Sequence, residues 1–201
     1  MRIHMGMAGA LLPLLLAAPP LQRALEASMT AQMLVQIPLL AAAGALLGQA
    51  LTECLARRIE PWNRRGVTGL IIVTLAAACW MLPLSLDAAK ADVAADVAKF
   101  LTAPVLIGLP LAVSWACMGF VLRGVLLFET MATLFRMGWL YRISPVRLCN
   151  NYGLSDQQRL GEWLLLAGAT LFLWIAWRLV WGKPKAAAEG VDPGVRIGPS
   201  A

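Results

Sequence analysis

Apolar residues fall in long runs separated by short polar stretches. Residues 27–52, 66–86 and 100–122 contain no charged side chain, and 163–181 holds only Arg178. Each run reaches or approaches the roughly 20 residues that a helix needs to cross the hydrocarbon core. Arg178, near the end of its run, can carry its guanidinium to the interface. Two further segments are ambiguous. Residues 5–21 are apolar and follow Arg2, so a retained span competes with a signal peptide; the continuation APPLQRALEA has no clean small-x-small cleavage site, which favours the span. Residues 123–141 contain Arg123, Glu129 and Arg136, and read either as a polar-striped span or as a helix lying in the interface. Glu129 and Arg136 are seven residues apart, close to one helical face, which favours a span whose stripe turns into a bundle. The pattern predicts an all-α, polytopic transmembrane helical bundle of five or six spans over residues 1–181. The tail 182–201, rich in Pro, Gly and Ala, reads as disordered and cytoplasmic.

Composition supports the membrane reading. Apolar residues make up 60% of the chain against 14% charged, and the mean hydropathy is +0.71, well beyond the balance of soluble domains. The net charge of +6 is spread over short loops, which suits a membrane protein and excludes a nucleic-acid footprint. Arg57, Arg58, Arg64 and Arg65 crowd one turn, which should be cytoplasmic. The 87–99 loop, with Asp87, Asp92, Asp96, Lys90 and Lys99, then lies outside. Six spans would put both termini in the cytoplasm of a bacterium, with the protein in its inner membrane. Trp62, Trp80, Trp139, Tyr141, Trp163 and Trp181 fall near predicted span ends, as aromatic belts do. The four cysteines, Cys54, Cys79, Cys117 and Cys149, form no CxxC and no Cys/His pair, so no disulfide framework is expected.

The densest polar stretch, RISPVRLCNNYGLSDQQRLGEW (142–163), lies between two apolar segments. Six spans would leave Arg142, Arg147 and Arg159 outside, against the charge rule; five spans, with 123–141 at the interface, would bring them in. Ser155 to Gln158 reads as a capping box, with Asp156 complementing the helix dipole and Gly153 permitting the turn before it. A cap accounts for Ser155, Asp156 and Gln158. It leaves Arg147, Asn150, Asn151 and Gln157 unexplained, so the stretch is read as a partner-docking loop of Arg147, Asn150, Asn151, Asp156, Gln157 and Gln158.

Asp156-Gln157-Gln158-Arg159-Leu160-Gly161 resembles the DQQ-x-x-G motif that the CtaG-type assembly factors of cytochrome c oxidase carry before their last span. WMLPLSLDAA (80–89) is similar to that family's W-H-L-P…AA segment, and MTAQMLVQIPLLAA (29–42) to its H-M-x-x-H…A-P-L-L segment. The resemblance implies a polytopic membrane protein tied to copper insertion, with oxidase subunits as partners. The departures are specific. Gln32 and Gln36 stand where the family has a histidine pair, Met81 stands for another histidine, and ADVAKF replaces a His/Glu cluster. The chain's one histidine is His4, outside the aligned region. A His-based copper site is therefore absent from the sequence, and no cofactor is expected. Cys79, Met81, Cys117 and Met118 are soft donors suited to Cu(I), but packing explains them more simply.

No hydrolytic triad, phosphate loop or catalytic carboxylate pair occurs, so an enzyme is not expected. The leading expectation is an accessory or assembly protein of a haem–copper oxidase, embedded in lipid. The alternatives are a small transporter or channel component using Glu129 and Arg136, and a structural subunit of a membrane complex. Gln32 and Gln36 share a helix face and are expected to hydrogen-bond across helices.

Overall fold

The computed structural model describes residues 2–59, 63, 65–149 and 151–181, excepting the side chains of 2, 3 and 52–59. The side chains of Cys54, Arg57, Arg58, Trp62 and Arg64, all of Asn150 and the tail 182–201 therefore lie outside the described residues. Among the described residues every regular element is helical: α1 (Arg2–Leu16), α2 (Pro19–Glu26), α3 (Met29–Ala31), α4 (Ile37–Ile59), α5 (Val67–Met81), α6 (Pro83–Ala91), α7 (Val93–Thr102), α8 (Leu109–Cys117), α9 (Phe120–Ile143) and α10 (Leu154–Trp181). One π-helical turn, Gln32–Gln36, joins α3 to α4, and another, Ala103–Gly108, joins α7 to α8.

In chain order these elements make six rods, α1–α2, α3–α4, α5–α6, α7–α8, α9 and α10, the first and third sharply bent. Side-chain contacts fix their directions. Gly6 lies against Ala50 and Gly9 against Ala43 and Leu47, so α1 runs antiparallel to α4. Gly138 lies against Gly161 and Leu165, and Gly168 against Leu134 and Phe135, so α9 and α10 form a hairpin. One end of the molecule gathers Glu26, Asp87, Lys99 and Tyr152. The other gathers Asn63, Gly66, Ser114 and Met118.

Met29–Leu51, Val93–Cys117 and Leu154–Trp181 are each long and apolar enough to cross a membrane. Two bent pairs, α1–α2 (71°) and α5–α6 (67°), raise the candidates from three to five. The bends fall where proline opens the second helix, Pro19 in α2 and Pro83 in α6; a ring without an N–H suits a first turn but cannot continue a helix. α9, carrying Arg123, Glu129, Arg136 and Arg142, is not among the candidates. The architecture is thus an all-helical bundle with three to five candidate spans.

Several boundaries differ from the sequence reading. The predicted 5–21 segment stops as a helix at Leu16 and turns sharply. The 87–99 region is not a loop: α6 and α7 run through it and meet at Asp92, whose carboxylate caps α7 by accepting from the Ala94 N–H. The predicted 100–122 run ends at Cys117, and α9 begins at Phe120. α10 begins at Leu154, just before the expected cap at Ser155, and runs through the polar entry into the apolar 163–181 run.

Close helix crossings hold the rods together. Gly44 abuts the Pro104 backbone and Gly108 the backbone of Ala41 and Ala45, so a Cβ at either position would collide with main chain. Gly44 and Gly48 form a G-x-x-x-G on α4, the small-residue spacing that lets membrane helices approach closely. The Ala103–Gly108 π-helical turn lies at this crossing. Ile37 N–H bonds back to Gln32 O and Leu109 N–H to Pro104 O, and the next residue in each case is a proline, Pro38 or Pro110. A proline donates no hydrogen bond and its ring crowds the carbonyl four residues earlier, which favours a widened turn there.

Candidate functional site

Most of the polar side chains that the bundle buries, Gln32, Gln36, Asp87, Lys99 and Gln157, lie toward one end, while Asn63 and Ser114 pair at the other. Lys99 of α7 is 1% exposed, and its ammonium lies 2.6 Å from Glu26 Oε1 and 2.8 Å from Asp96 Oδ1. It also donates to Gln36 Oε1 at 3.3 Å. Gln22 Nε2 donates to Asp96 Oδ2 at 2.7 Å, and Gln36 Nε2 donates to Glu26 Oε1 at 3.3 Å. One ammonium thus joins two carboxylates, and two glutamines bind the group to α2 and to the first π-helical turn. A charge this deep persists only when it is paired and hydrogen-bonded.

Tyr152 extends the network to the loop before α10. Its hydroxyl lies 2.6 Å from Gln32 Oε1 and 3.0 Å from the Glu26 carbonyl oxygen, and Lys90 Nζ sits 4.0 Å above its ring. Burial, followed by the nearby Glu26 carboxylate, raises the Tyr152 phenol above its usual range. Gln32 is fully buried, and its Nε2 has no hydrogen-bond partner among the described residues.

The predicted docking residues divide. Arg147 and Gln158 are exposed, and Asp156 is half-buried in the first turn of α10. Asn151 is exposed but tied down, its backbone N–H donating to Asp87 Oδ1 and its side-chain amide to the Asp87 carbonyl, each at 3.3 Å. Gln157 corrects the expectation. It is 2% exposed, accepts from the Leu148 N–H at 2.9 Å, and donates to the carbonyls of Tyr141 and Val146 at 3.4 Å. It is a clamp that shapes the 144–153 loop and presents no surface to a partner. The capping box also changes. Because the helix starts at Leu154, with Gln157 N–H bonding to Gly153 O, Ser155 stands inside the first turn rather than at the cap.

Glu129 and Arg136 are ion-paired, but along one helix and on its outward side; their side chains are 47% and 64% exposed. The stripe does not turn into the bundle, because the opposite face of α9, carrying Gly138, is the one packed on α10. The sulfur candidates are also apart. Met81 lies at the end of α5 beside Tyr141, whose hydroxyl donates to the Met81 carbonyl, with Cys79 close by in sequence. Met118, next to Cys117, packs on Gly66 at the opposite end. Cys149 is buried, with its thiol 3.8 Å from the Pro83 carbonyl oxygen; burial and the nearby Asp87 push its pKa up to about 11.

The donor set at Gln32 and Gln36 does not suit copper. Both amide oxygens already accept hydrogen bonds, from Tyr152 and Lys99, and the ammonium beside Gln36 repels a metal cation. Among the described residues no three His, Cys, Asp or Glu side chains are gathered as a metal site.

Sequence reasoning missed Lys99, Glu26, Asp96 and Tyr152. One signal was available: Asp96 and Lys99 are three apart in a segment rich in helix-forming alanine, which favours a helix with one charged face. Comparison with family models, curated proteins and solved structures finds no match to the chain.

Proposed function

We propose that this protein is a non-enzymatic accessory factor in the assembly of a haem–copper cytochrome c oxidase, a divergent relative of the CtaG-type factors that works without copper. The single observation carrying the reading is convergence. The three segments that resemble the family are far apart in sequence, yet Met29 and Met33 of the first, Leu86 of the second, and Leu160 next to the Asp156–Gln158 motif of the third share one buried cluster with Tyr141, Cys149, Tyr152 and Leu164. Tyr152 is hydrogen-bonded to Gln32, and Asn151 to Asp87, across the same junction. Packing that joins those three short matches supports shared ancestry more than any one of them does.

On this reading all six rods cross a bacterial inner membrane with both termini cytoplasmic. The Asn63–Met118 end then faces the cytoplasm, and the Lys99 end faces outward. The exposed Arg147 and Gln158 and the tethered Asn151 are what the outer end offers to an oxidase subunit. The test is deletion of the gene followed by haem spectra and blue-native gels of the membranes. Loss of assembled oxidase, restored by the wild-type chain, is expected; unchanged oxidase overturns the proposal. Ion transport has one supporting observation, the buried Lys99 cluster, and flux in proteoliposomes abolished by Lys99→Met would favour it instead.

A further inference from the structure

The outward face of α9 combines two features that conflict in lipid. Val125, Leu140 and Ile143 are exposed and apolar along it, as a lipid-facing helix requires. Between them lie Glu129, Thr133 and Arg136, in the repeating three- and four-residue spacing of one helical seam. The antiparallel packing fixes their depth. Gly138 is level with Gly161 and Leu165, and Gly168 with Leu134 and Phe135, so Glu129 and Arg136 flank the mid-height of α10. α10 is long and apolar enough to span, and if it does, this ion pair sits near the middle of the hydrocarbon layer.

Glu129 and Arg136 make their hydrogen bonds within α9, to each other, to Thr133 and to the Ala132 carbonyl. No other helix among the described residues covers them. Ionised groups facing lipid at that depth are strongly disfavoured, and membrane proteins turn such groups toward protein or water. Arg136 still has N–H groups beyond those bonds, and the second Glu129 oxygen has further acceptor capacity.

We propose that this seam is the interface through which two copies of the protein pair in the membrane. The charge pattern selects a second copy over a foreign helix. The seam carries one acid and one base, so it asks for no net countercharge. A two-fold axis along the membrane normal brings a second Glu129 and a second Arg136 to the same depths. Arg136 already reaches back seven residues to the glutamate of its own helix, and the same reach serves the glutamate of the neighbour. Thr133, midway between them, has a short side chain that permits close approach and a hydroxyl that can hydrogen-bond across the interface. The inference rests on the reading of α9 as a membrane span.

The experiment uses the full chain in nanodiscs, with mass measured by native mass spectrometry. The wild type is expected to be dimeric. Glu129→Arg and Arg136→Glu are each expected to be monomeric, because each puts four like charges in one interface. Co-expression of the two variants should restore a dimer containing one of each. With the native cysteines replaced by serine, Thr133→Cys should form a disulfide-linked dimer on oxidation, whereas Leu173→Cys, on the exposed side of α10, should not. A monomeric wild type without the Thr133→Cys crosslink overturns the proposal, as does a seam occupied by a different protein. Labelling of Thr133→Cys by a membrane-impermeant maleimide in intact membranes overturns it too, and places the fault in the spanning of α9 rather than in the pairing.

Discussion

Lys99 and Arg136 are both cations bonded to a glutamate, and they sit at opposite extremes of one bundle. Lys99 is 1% exposed and its partners come from other helices or turns as well as its own: Glu26 from α2, Gln36 from the π-helical turn and Asp96 from α7. Arg136 is 64% exposed and bonds along α9 alone. The first pair holds segments together that are distant in sequence. The second holds nothing together within one chain. An ion pair seen in a membrane helix therefore says little until its partner's helix is known. Where the partner lies on another rod, the pair is part of the tertiary structure; where it lies on the same helix, it ties no second element of the monomer.

That contrast can be broken by substitution. Lys99→Met leaves Glu26 and Asp96 without their counter-ion, and a buried pair broken from one side costs about 3–5 kcal/mol. The variant should show a large fall in melting temperature in detergent, and adding Glu26→Gln should recover part of it; an unchanged melting temperature would remove Lys99 from the core. Gln157→Ala should rank second, because two carbonyls and one backbone N–H lose their partner, at about 1–3 kcal/mol. Gln157→Glu should also destabilise, since a carboxylate cannot donate to the Tyr141 and Val146 carbonyls. A silent Gln157→Glu would mean that the loop is held some other way.

Removal of the outer pair should cost least in a detergent-solubilised monomer. Glu129→Gln is expected to change stability by less than about 1 kcal/mol, as exposed pairs do. A loss as large as that of Lys99→Met would erase the distinction. The last prediction concerns alkali. The Cys149 thiol is raised from its ordinary 9.0 to about 11 in the folded chain, so between those values the unfolded chain ionises while the folded one keeps its proton. Stability should be unaffected below pH 9 and should fall as the pH rises from about 9 to 11. Cys149→Ala should flatten that part of the profile in urea titrations, and Tyr152→Phe the part above pH 10.

The runs of apolar residues were enough to locate the long helices, because burial in lipid leaves a signal in composition that no neighbouring helix can alter. Helix ends were harder. The 87–99 segment reads as a loop by charge density, yet Asp92 caps α7 and Lys99 folds inward, so its charges belong partly to the core. The DQQ stretch was misread because the helix starts two residues earlier than a cap at Ser155 implies. With the start at Leu154, Gln157 joins Leu160, Gly161, Leu164 and Gly168 on the buried stripe of α10; the three- and four-residue spacing of those positions was visible in the sequence, but the capping-box pattern at Ser155 competed with it. The G-x-x-x-G of Gly44 and Gly48 was legible and went unread. The direction of the Glu129–Arg136 face was not legible, since helical spacing groups residues on a face without saying which way the face turns.

The π-helical turn at Gln32–Gln36 bears on how this chain tolerates insertions and deletions. Such a turn holds one residue more than the α-helix around it. Deleting a single residue there would let the segment relax into ordinary helix while rotating everything before it by about 100° relative to α4. Glu26 would then swing away from Lys99, although no side chain in the charged cluster had been changed. The cluster thus depends on chain length as well as on residue identity, and a sequence that keeps all its polar residues but loses that extra one is expected to lose the junction.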